Sequence, residues 1–320
     1  VSSPRILVLG GRSFHRAPLL PLGWHLAELQ MVAARVGVEL FFADYETLAA
    51  EVDGVCTRTR AMCQTVDVDR PLAMWLDEFD GIFTRTMPFG SMEQLAFRLA
   101  TLHDEYYRRL KQGQQASIVN PPASLELAID KYATLARVTR MGILTPATIV
   151  TQSRSEAMLA FEKCGGDVVV KPIFGGEGRG VMRIRDEELA WTTFSTLSQL
   201  GSVFYVQQFC PPGGRDVRLL VIGPHVHAIR RSCGDDFRTN VRAGGRSERI
   251  ECTAEWRHLA EQICREFDLT FAAVDLIELA NGNEYRLVEV NAIPGWKSAQ
   301  TVMDVNLAEQ IISVLKSRSE

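Results

Sequence analysis

The sequence predicts a mixed fold, a parallel α/β domain followed by two α+β lobes. Three observations carry this. Apolar strand-like runs alternate with helical runs over the first third of the chain; Asn120-Pro121-Pro122 then breaks the pattern; short strands joined by glycine- or arginine-rich loops fill the rest. A length of 320 residues suits two or three domains. The expected boundaries are 1–118, 119–206 and 207–320.

Residues 5–10 (RILVLG) read as a buried strand ending in glycine. A helical stretch follows at about 22–36, then a strand at 38–44, a strand at 81–86 and a strongly helical run at 91–110. Past the prolines the spacing predicts one helix over roughly 124–140, ending near Gly142, and another at 155–163. Two strands, 168–173 and 180–184, flank a glycine-rich loop. A helix at 186–200 leads to a strand at 203–209. The last part is strand-rich: 216–223, 225–232, a Gly- and Arg-rich loop at 234–247, a helix at 254–267, strands at 271–279 and 284–292, and a closing helix at 304–316.

The chain is 46% hydrophobic and 23% charged, with a formal net charge of −4. Such a balance gives no general electrostatic case for nucleic acid or an anionic membrane, so any anionic ligand must be held by a local basic cluster. Seven cysteines occur at irregular spacing without a C-x-x-C, which argues for reduced thiols rather than zinc or a redox pair. No apolar run approaches membrane-spanning length and no signal-peptide pattern opens the chain, so the cytoplasm is the expected compartment.

A metal-binding constellation is read at residues 271–292. Two strand patterns flank Asn281-Gly282-Asn283, a strong turn signal. A three-residue loop centred on Gly282 places Glu278 opposite Arg286 and Asp275 opposite Glu289. Glu289 and Asn291 share a face because side chains alternate along a strand. Two carboxylates that close resist joint ionisation unless a positive group sits between them. Oxygen ligands of this kind suit Mg²⁺ or Mn²⁺. The competing reading is a one-residue slip that sends one carboxylate to solvent.

The run from Lys171 to Gly180 (KPIFGGEGRG) holds Gly175, Gly176, Gly178 and Gly180, whose backbone N–H groups can wrap anionic oxygens while Lys171 adds a point charge. No G-K-[ST] follows the glycines, so this is not a Walker A loop, and a strand rather than a helix follows, which excludes a dinucleotide fingerprint. A plain hairpin turn is the bland alternative. Lys131 is a second candidate cation. Arg218, Arg230, Arg231, Arg238, Arg242 and Arg246 form a local basic cluster whose guanidinium forks match carboxylate or phosphate, against the alternative of ordinary surface arginines. His225 and His227 read as structural. Arg12 and Arg85, after the first and a later strand of the α/β domain, are candidates for an acceptor site.

The stretches NPPASLELAIDKYATLARVTRMGILTPATIV, VVVKPIFGGEGRGV, VQQFCPPGGRDVRLLVIG, DDFRTNVRAGG and LVEVNAIPGW resemble, in that order, the ATP-grasp superfamily, and within it the RimK-like α-L-glutamate ligases. AIPGWKSAQ and RTMPFGSMEQLAFR look like the ligases that add glutamate to tetrahydromethanopterin-type pterin cofactors. The resemblance implies an ATP-grasp fold with a Rossmann-like pre-ATP-grasp domain and two lobes clasping ATP. By it, Lys131 and Lys171 contact ATP phosphates under a lid formed by Gly175 to Gly180, Gln208 and Phe209 hold adenine, and Asp216 lies on the ribose side. Arg238, Thr239 and Asn240 lie near the triphosphate and the reacting carboxylate. Asp275, Glu289 and Asn291 bind two Mg²⁺ ions, with Mn²⁺ as an alternative. Arg218 and Arg231 hold the acceptor carboxylate or acyl-phosphate.

The implied activity is ADP-forming carboxylate–amine ligation of L-glutamate and a small-molecule acceptor, compatible with a homo-oligomer. Glutamylation of a peptide tail and a non-catalytic regulator of the synapsin type are the alternatives. A dehydrogenase is disfavoured because G-x-G-x-x-G is absent after the first strand. Two departures stand out: Gln207-Gln208-Phe209 replaces the common Gln-Glu-Phe linker, and Glu177 places an acid in the lid.

Overall fold

The computed structural model describes residues 3–10, 23–65, 70–114, 117–176, 178–234, 236–239, 245–280, 282 and 284–319. Three sheets follow one another along the chain. The first contains β1 (Arg5–Gly10), β2 (Glu39–Asp44), β3 (Ala49–Val52), β4 (Thr57–Gln64), β5 (Leu72–Trp75), β6 (Gly81–Thr84) and β7 (Ile118–Val119). Its order is β3-β4-β2-β1-β6-β7, with β5 also beside β4. The strands β2, β1, β6 and β7 are parallel, as the strand–helix alternation predicts. The antiparallel ribbon β3–β4–β5 was not expected: β4 reads TRTRAMCQ, opening on four consecutive polar residues and easily taken for loop.

Helix α1 (Trp24–Val36) ends where Gly37 takes φ +70° and donates to the Ala33 carbonyl. Helix α2 (Met92–Lys111) starts at Ser91, whose side chain and that of Gln94 bond each other's backbone N–H in a capping box. β1 has Leu7 and Leu9 in one core and Ile6 and Val8 in another. Burial on both faces explains a strand without alternation.

The predicted helix at 124–140 is two helices, α3 (Pro122–Ile129) and α4 (Lys131–Arg140). Asp130 breaks them, and its carboxylate accepts the N–H groups of Tyr132 (2.8 Å) and Ala133 (3.0 Å). Asn120, read as part of a break, is a join. Its buried amide donates to the carbonyls of Phe271 and Ala292 (2.7 Å each) and accepts from the N–H of Thr270 (2.8 Å) and Phe271 (3.0 Å).

The second sheet, order β10-β9-β11-β8, comprises β8 (Thr148–Thr151), β9 (Val168–Val170), β10 (Met182–Ile184) and β11 (Phe204–Gln208). With α5 (Arg154–Lys163) and α6 (Glu187–Gln199) it closes a core of its own around Phe161, Phe194 and Phe204. The third sheet is antiparallel, order β14-β13-β12-β15-β16. Its strands are β12 (Pro212–Ile222), β13 (His225–Ser232), β14 (Arg246–Ile250), β15 (Phe271–Leu279) and β16 (Tyr285–Asn291), so β14 takes residues expected at the end of a loop. Helices α7 (Ala254–Glu266), α8 (Lys297–Gln300) and α9 (Leu307–Ser319) complete the fold. The first and third sheets share both large cores: Leu7, Leu102 and Val138 cluster with Leu219 and Val274, while Ile6 and Leu29 cluster with Ile222 and Ile311. All seven cysteines are free. Among the described residues, no helix is long and apolar enough to cross a membrane.

Candidate active site

One face of the third sheet changes character halfway along its strands. On β12, Asp216, Arg218, Leu220 and Ile222 alternate onto this face, and Leu220 and Ile222 lie in the core with α9. Beyond that core the face is charged. Arg231 pairs across from Asp216, Asp275 from Arg218, Glu289 from Asp275, and Asn291 from Ala273.

Arg218 forks Asp275 (2.8 and 2.6 Å), and Arg231 reaches the same carboxylate at 3.0 Å. Arg231 also forks Asp216 (2.7 and 2.8 Å), which accepts the Thr239 hydroxyl as well. Burial alone would raise the Asp275 carboxyl, but the two guanidiniums outweigh it and hold the group well below the usual carboxylate range. For Arg231, burial opposes the charge, while Asp275 and Asp216 raise its pKa. Arg230 points to the other face and meets Glu278 at 3.5 Å, so the arginine cluster read in the sequence is divided between two faces.

The Asp275–Glu289 opposition occurs as predicted, but by a different route. Near the turn the pairs are Glu278–Tyr285 and Ile277–Arg286, one residue off the expected Glu278–Arg286 pairing. Val288 is an extra residue in β16 that restores the expected register from Asp275–Glu289 onward. The bulge turns Leu287 into the core while Glu289 keeps the charged face. Asn281 and Asn283 lie outside the described residues. Glu289 is half-buried and makes no hydrogen bond or ion pair among the described residues, and Asn291 accepts the Ile293 N–H at 2.8 Å.

Two lysines answer these carboxylates from the second sheet and α4. Lys131, the first residue of α4, donates to the Gly175 carbonyl at 2.7 Å. Lys171, directly after β9, donates to Gln207 Oε1 at 3.0 Å and lies 5.0 Å from the Tyr205 ring centroid. Burial pushes Lys171 down to about 8, with Glu289 pulling upward and Lys131 adding to the fall. Lys131 is also lowered by burial, against the pull of Glu289 and Asp130. Glu289 therefore lies within electrostatic reach of both cations.

The glycine run links β9 to β10 as expected. Gly175 takes φ +132°, and a Cβ on Gly180 would lie 2.9 Å from Pro172 Cγ, so neither tolerates a side chain easily. Gly176 is exposed and Gly178 takes φ +71°. Glu177 lies outside the described residues.

Gln208 is exposed, and its N–H donates to the Ala147 carbonyl at 2.8 Å. The Phe209 N–H donates to Asp167 at 2.9 Å, and the Phe209 ring is covered by the Arg183 guanidinium at 3.4 Å. Arg238 is half-exposed and held by Asp236 at 2.6 Å. Asp216, expected beside the ribose, is engaged by Arg231 and Thr239. Asn240, Arg242 and Arg12 lie outside the described residues. Arg85 directly follows β6 and is buried over Trp296.

The RimK-like ATP-grasp domain matches residues 128–315, the span that holds the lysines, the glycine loop and the charged sheet face. This chain belongs to the RimK-like ATP-grasp family. The tetrahydromethanopterin:α-L-glutamate ligase of Methanocaldococcus jannaschii is 33% identical over 254 residues, covering 76% of this chain and 82% of that protein. Its namesake from Methanosarcina acetivorans is 29% identical over 270 residues, with 76% and 81% covered. The ATP-grasp ligase PsnB, solved with a phosphomimetic variant of its minimal precursor, Mg and ADP, shares the fold at a TM-score of 0.69 and 18% identity, with 100% of both chains covered. The ATP-grasp fold and the ligase class implied by the motifs hold for this RimK-like chain.

Sequence reasoning passed over several groups at this site. Gln207 ties Lys171 to Thr148, donating from Nε2 to the hydroxyl at 2.8 Å. Asp167 forks Arg183 (2.8 and 2.6 Å) and so fixes the guanidinium over Phe209. Asp236 neutralises Arg238. Only Asp236 had a local signal, being two residues from its partner.

Proposed function

We propose that this RimK-like chain is an ATP- and Mg²⁺-dependent ligase that joins L-glutamate to a carboxylate-bearing acceptor through an acyl-phosphate, with a tetrahydromethanopterin-type pterin as the acceptor class. The observation that carries the reading is Glu289, a half-buried carboxylate without a bonding partner among the described residues, opposed to Asp275 and faced by two lysines at a glycine loop.

The donor set fits a hard divalent cation, being two carboxylates and an amide oxygen at one end of a sheet face. Asp275, Glu289 and Asn291 would hold Mg²⁺, two ions in this reading, which when bound neutralises charge on the transferring phosphoryl group. Lys131, Lys171 and the amides of the 175–180 loop bind the phosphates, and Gln208 and Phe209 border the adenine. The loop covers the γ-phosphoryl and excludes water that would hydrolyse the acyl-phosphate. Arg218 has the more open side chain, 16% exposed against 9% for Arg231, and so holds the acceptor carboxylate while Arg231 orients Asp275. Arg238, with 40% side-chain exposure, reaches the developing oxyanion from the loop side. The similarity to the two archaeal ligases supports the acceptor class.

The test is ADP release with glutamate and a panel of pterin and peptide acceptors, followed by mass spectrometry. A pterin product heavier by one glutamyl unit is expected. ADP release with peptides alone would overturn the acceptor class, and no ADP release with any acceptor would overturn the ligase reading.

A further inference from the structure

Lys171 follows β9, and its amine donates to Gln207 Oε1 at 3.0 Å. Gln207 is 3% exposed on β11, directly opposite Thr148 on one side and Val169 on the other. Lys171 stands two residues on from Val169, so its side chain shares the face of Gln207. The Gln207 amide can stand in one orientation, because its neighbours dictate which atoms donate. The Thr148 hydroxyl gives its single proton to the Pro146 carbonyl at 2.9 Å and faces Gln207 as an acceptor. Gln207 Nε2 donates to that hydroxyl at 2.8 Å and lies 3.3 Å from the Tyr205 hydroxyl. Turning the amide over would set Nε2 against the Lys171 ammonium, and Oε1 against a hydroxyl oxygen whose proton is already given away. A directed chain of hydrogen bonds therefore runs from the Lys171 amine through Gln207 and Thr148 to the Pro146 carbonyl.

The chain ends in a segment that also holds the strand leading out of the lobe. The Ala147 carbonyl, between Pro146 and Thr148, accepts the Gln208 N–H at 2.8 Å. Residues 146–148 thus fix both the lysine read as a phosphate ligand and the residue read as bordering adenine. A lysine carries its charge on a flexible four-carbon stem, so a site binds better when the amine is held beforehand. Gln207 holds it without neutralising it. The Tyr205 ring lies 5.0 Å from the same amine, while Glu289 on β16, Lys131 on α4 and Cys210 after β11 act on it through space.

We propose that Gln207, braced by Thr148, is a positioning residue that holds the Lys171 amine where the nucleotide phosphates meet it. This rests on the reading of Lys171 as a phosphate ligand, and it adds a side chain that acts on the nucleotide through that lysine.

The experiment is calorimetric titration of the full chain with ADP at fixed Mg²⁺ from pH 7 to 9. Gln207→Leu removes the acceptor of the charged amine. It should weaken ADP about tenfold at pH 7 and move the fall in affinity toward lower pH by about one unit. Gln207→Glu sets a carboxylate beside the amine, so the fall should move the other way and leave affinity flat to pH 9. A merely structural role would move both variants alike. Shifts in the same direction, or profiles that match the unaltered chain, overturn the proposal. Thr148→Val keeps the side-chain shape but frees the amide to turn Nε2 toward the amine; it should shift the fall as Gln207→Leu does, by less. Should Gln207→Leu fail to fold, Thr148→Val and Gln207→Glu carry the same comparison. In turnover, Gln207→Leu should raise KM for ATP about tenfold and leave acceptor KM within about twofold. ADP binding that ignores these changes overturns this proposal and leaves the ligase reading standing, whereas no ADP binding by the unaltered chain overturns both.

Discussion

The lobe that carries Lys171 and the sheet that carries Glu289 are held by different means. The lobe of β8–β11 has its own small core around Phe161, Phe194 and Phe204. Among the described residues the third sheet has none of its own; its apolar residues complete cores begun by the first sheet, α2 and α4 on one side and α1 on the other. Two cores that share no side chains can shift relative to each other without either being repacked. The carboxylates are thus built into the body of the molecule, while the glycine loop and Lys171 ride on a separately packed unit. This arrangement suits a site that must open for nucleotide and close for chemistry.

Five substitutions would break or sharpen that contrast. The largest effect is expected from Glu289→Gln, which should lower kcat by about a thousandfold or more, roughly 4 kcal/mol. The circular dichroism spectrum should stay unchanged, since no bond among the described residues depends on this carboxylate. Near-normal turnover would remove Glu289 from the site. Next, Phe194→Ala should cost about 3–4 kcal/mol and make the central lobe unfold first, as a separate transition in urea. Leu219→Ala, in the shared core, should lower the main transition instead. One coincident transition in both variants would erase the distinction between lobe and body.

Asn120→Ala should destabilise the body by roughly 3 kcal/mol, because it strands two buried carbonyls and two buried N–H groups. Urea unfolding checks this, and the lobe's own transition should not move. The smallest effect concerns Lys171. Its folded-state pKa of about 8 lies below the ordinary 10.5, so folding favours the neutral amine. The stability cost is full below about 8 and fades as pH rises toward 10.5. Phosphate favours the charged amine, so ADP affinity should be flat below pH 8 and fall up to about tenfold per unit above it. Calorimetric titration of ADP from pH 7 to 9 measures this. Lys171→Arg, whose guanidinium does not titrate there, should flatten the profile.

Much of the fold was legible because its signals are local. Residues 225–232 and 271–279 form strands with the bounds expected, being continuous β-type runs between turn residues. The β3–β4–β5 ribbon was missed because its central strand opens on four consecutive polar residues and so lacks the alternation of a half-buried strand. The break at Asp130 was missed because helical periodicity runs through it and only the cap's side-chain bonds reveal it. At the site, the Asp275–Glu289 opposition was legible from strand parity, although the assumed turn was wrong by one residue and the bulge corrected it. Leu287 held the clue: in an unbroken strand it would share the face of Glu289, an awkward place for a leucine. The forks of Arg218 and Arg231 and the packing of Arg183 on Phe209 join residues from separate segments of the chain, so no spacing rule along the chain discloses them.

The bulge at Val288 has a consequence for how this hairpin can change. It separates a tip, residues 276–287, from a base that carries the oxygens proposed to hold the metal. An altered turn would normally slide every pair on both strands and rotate Glu289 into the core. Here a slip of one position at the tip can be absorbed where the ladder is already uneven. The tip is therefore free to lengthen, shorten or vary in sequence, while the pair below it stays locked in place.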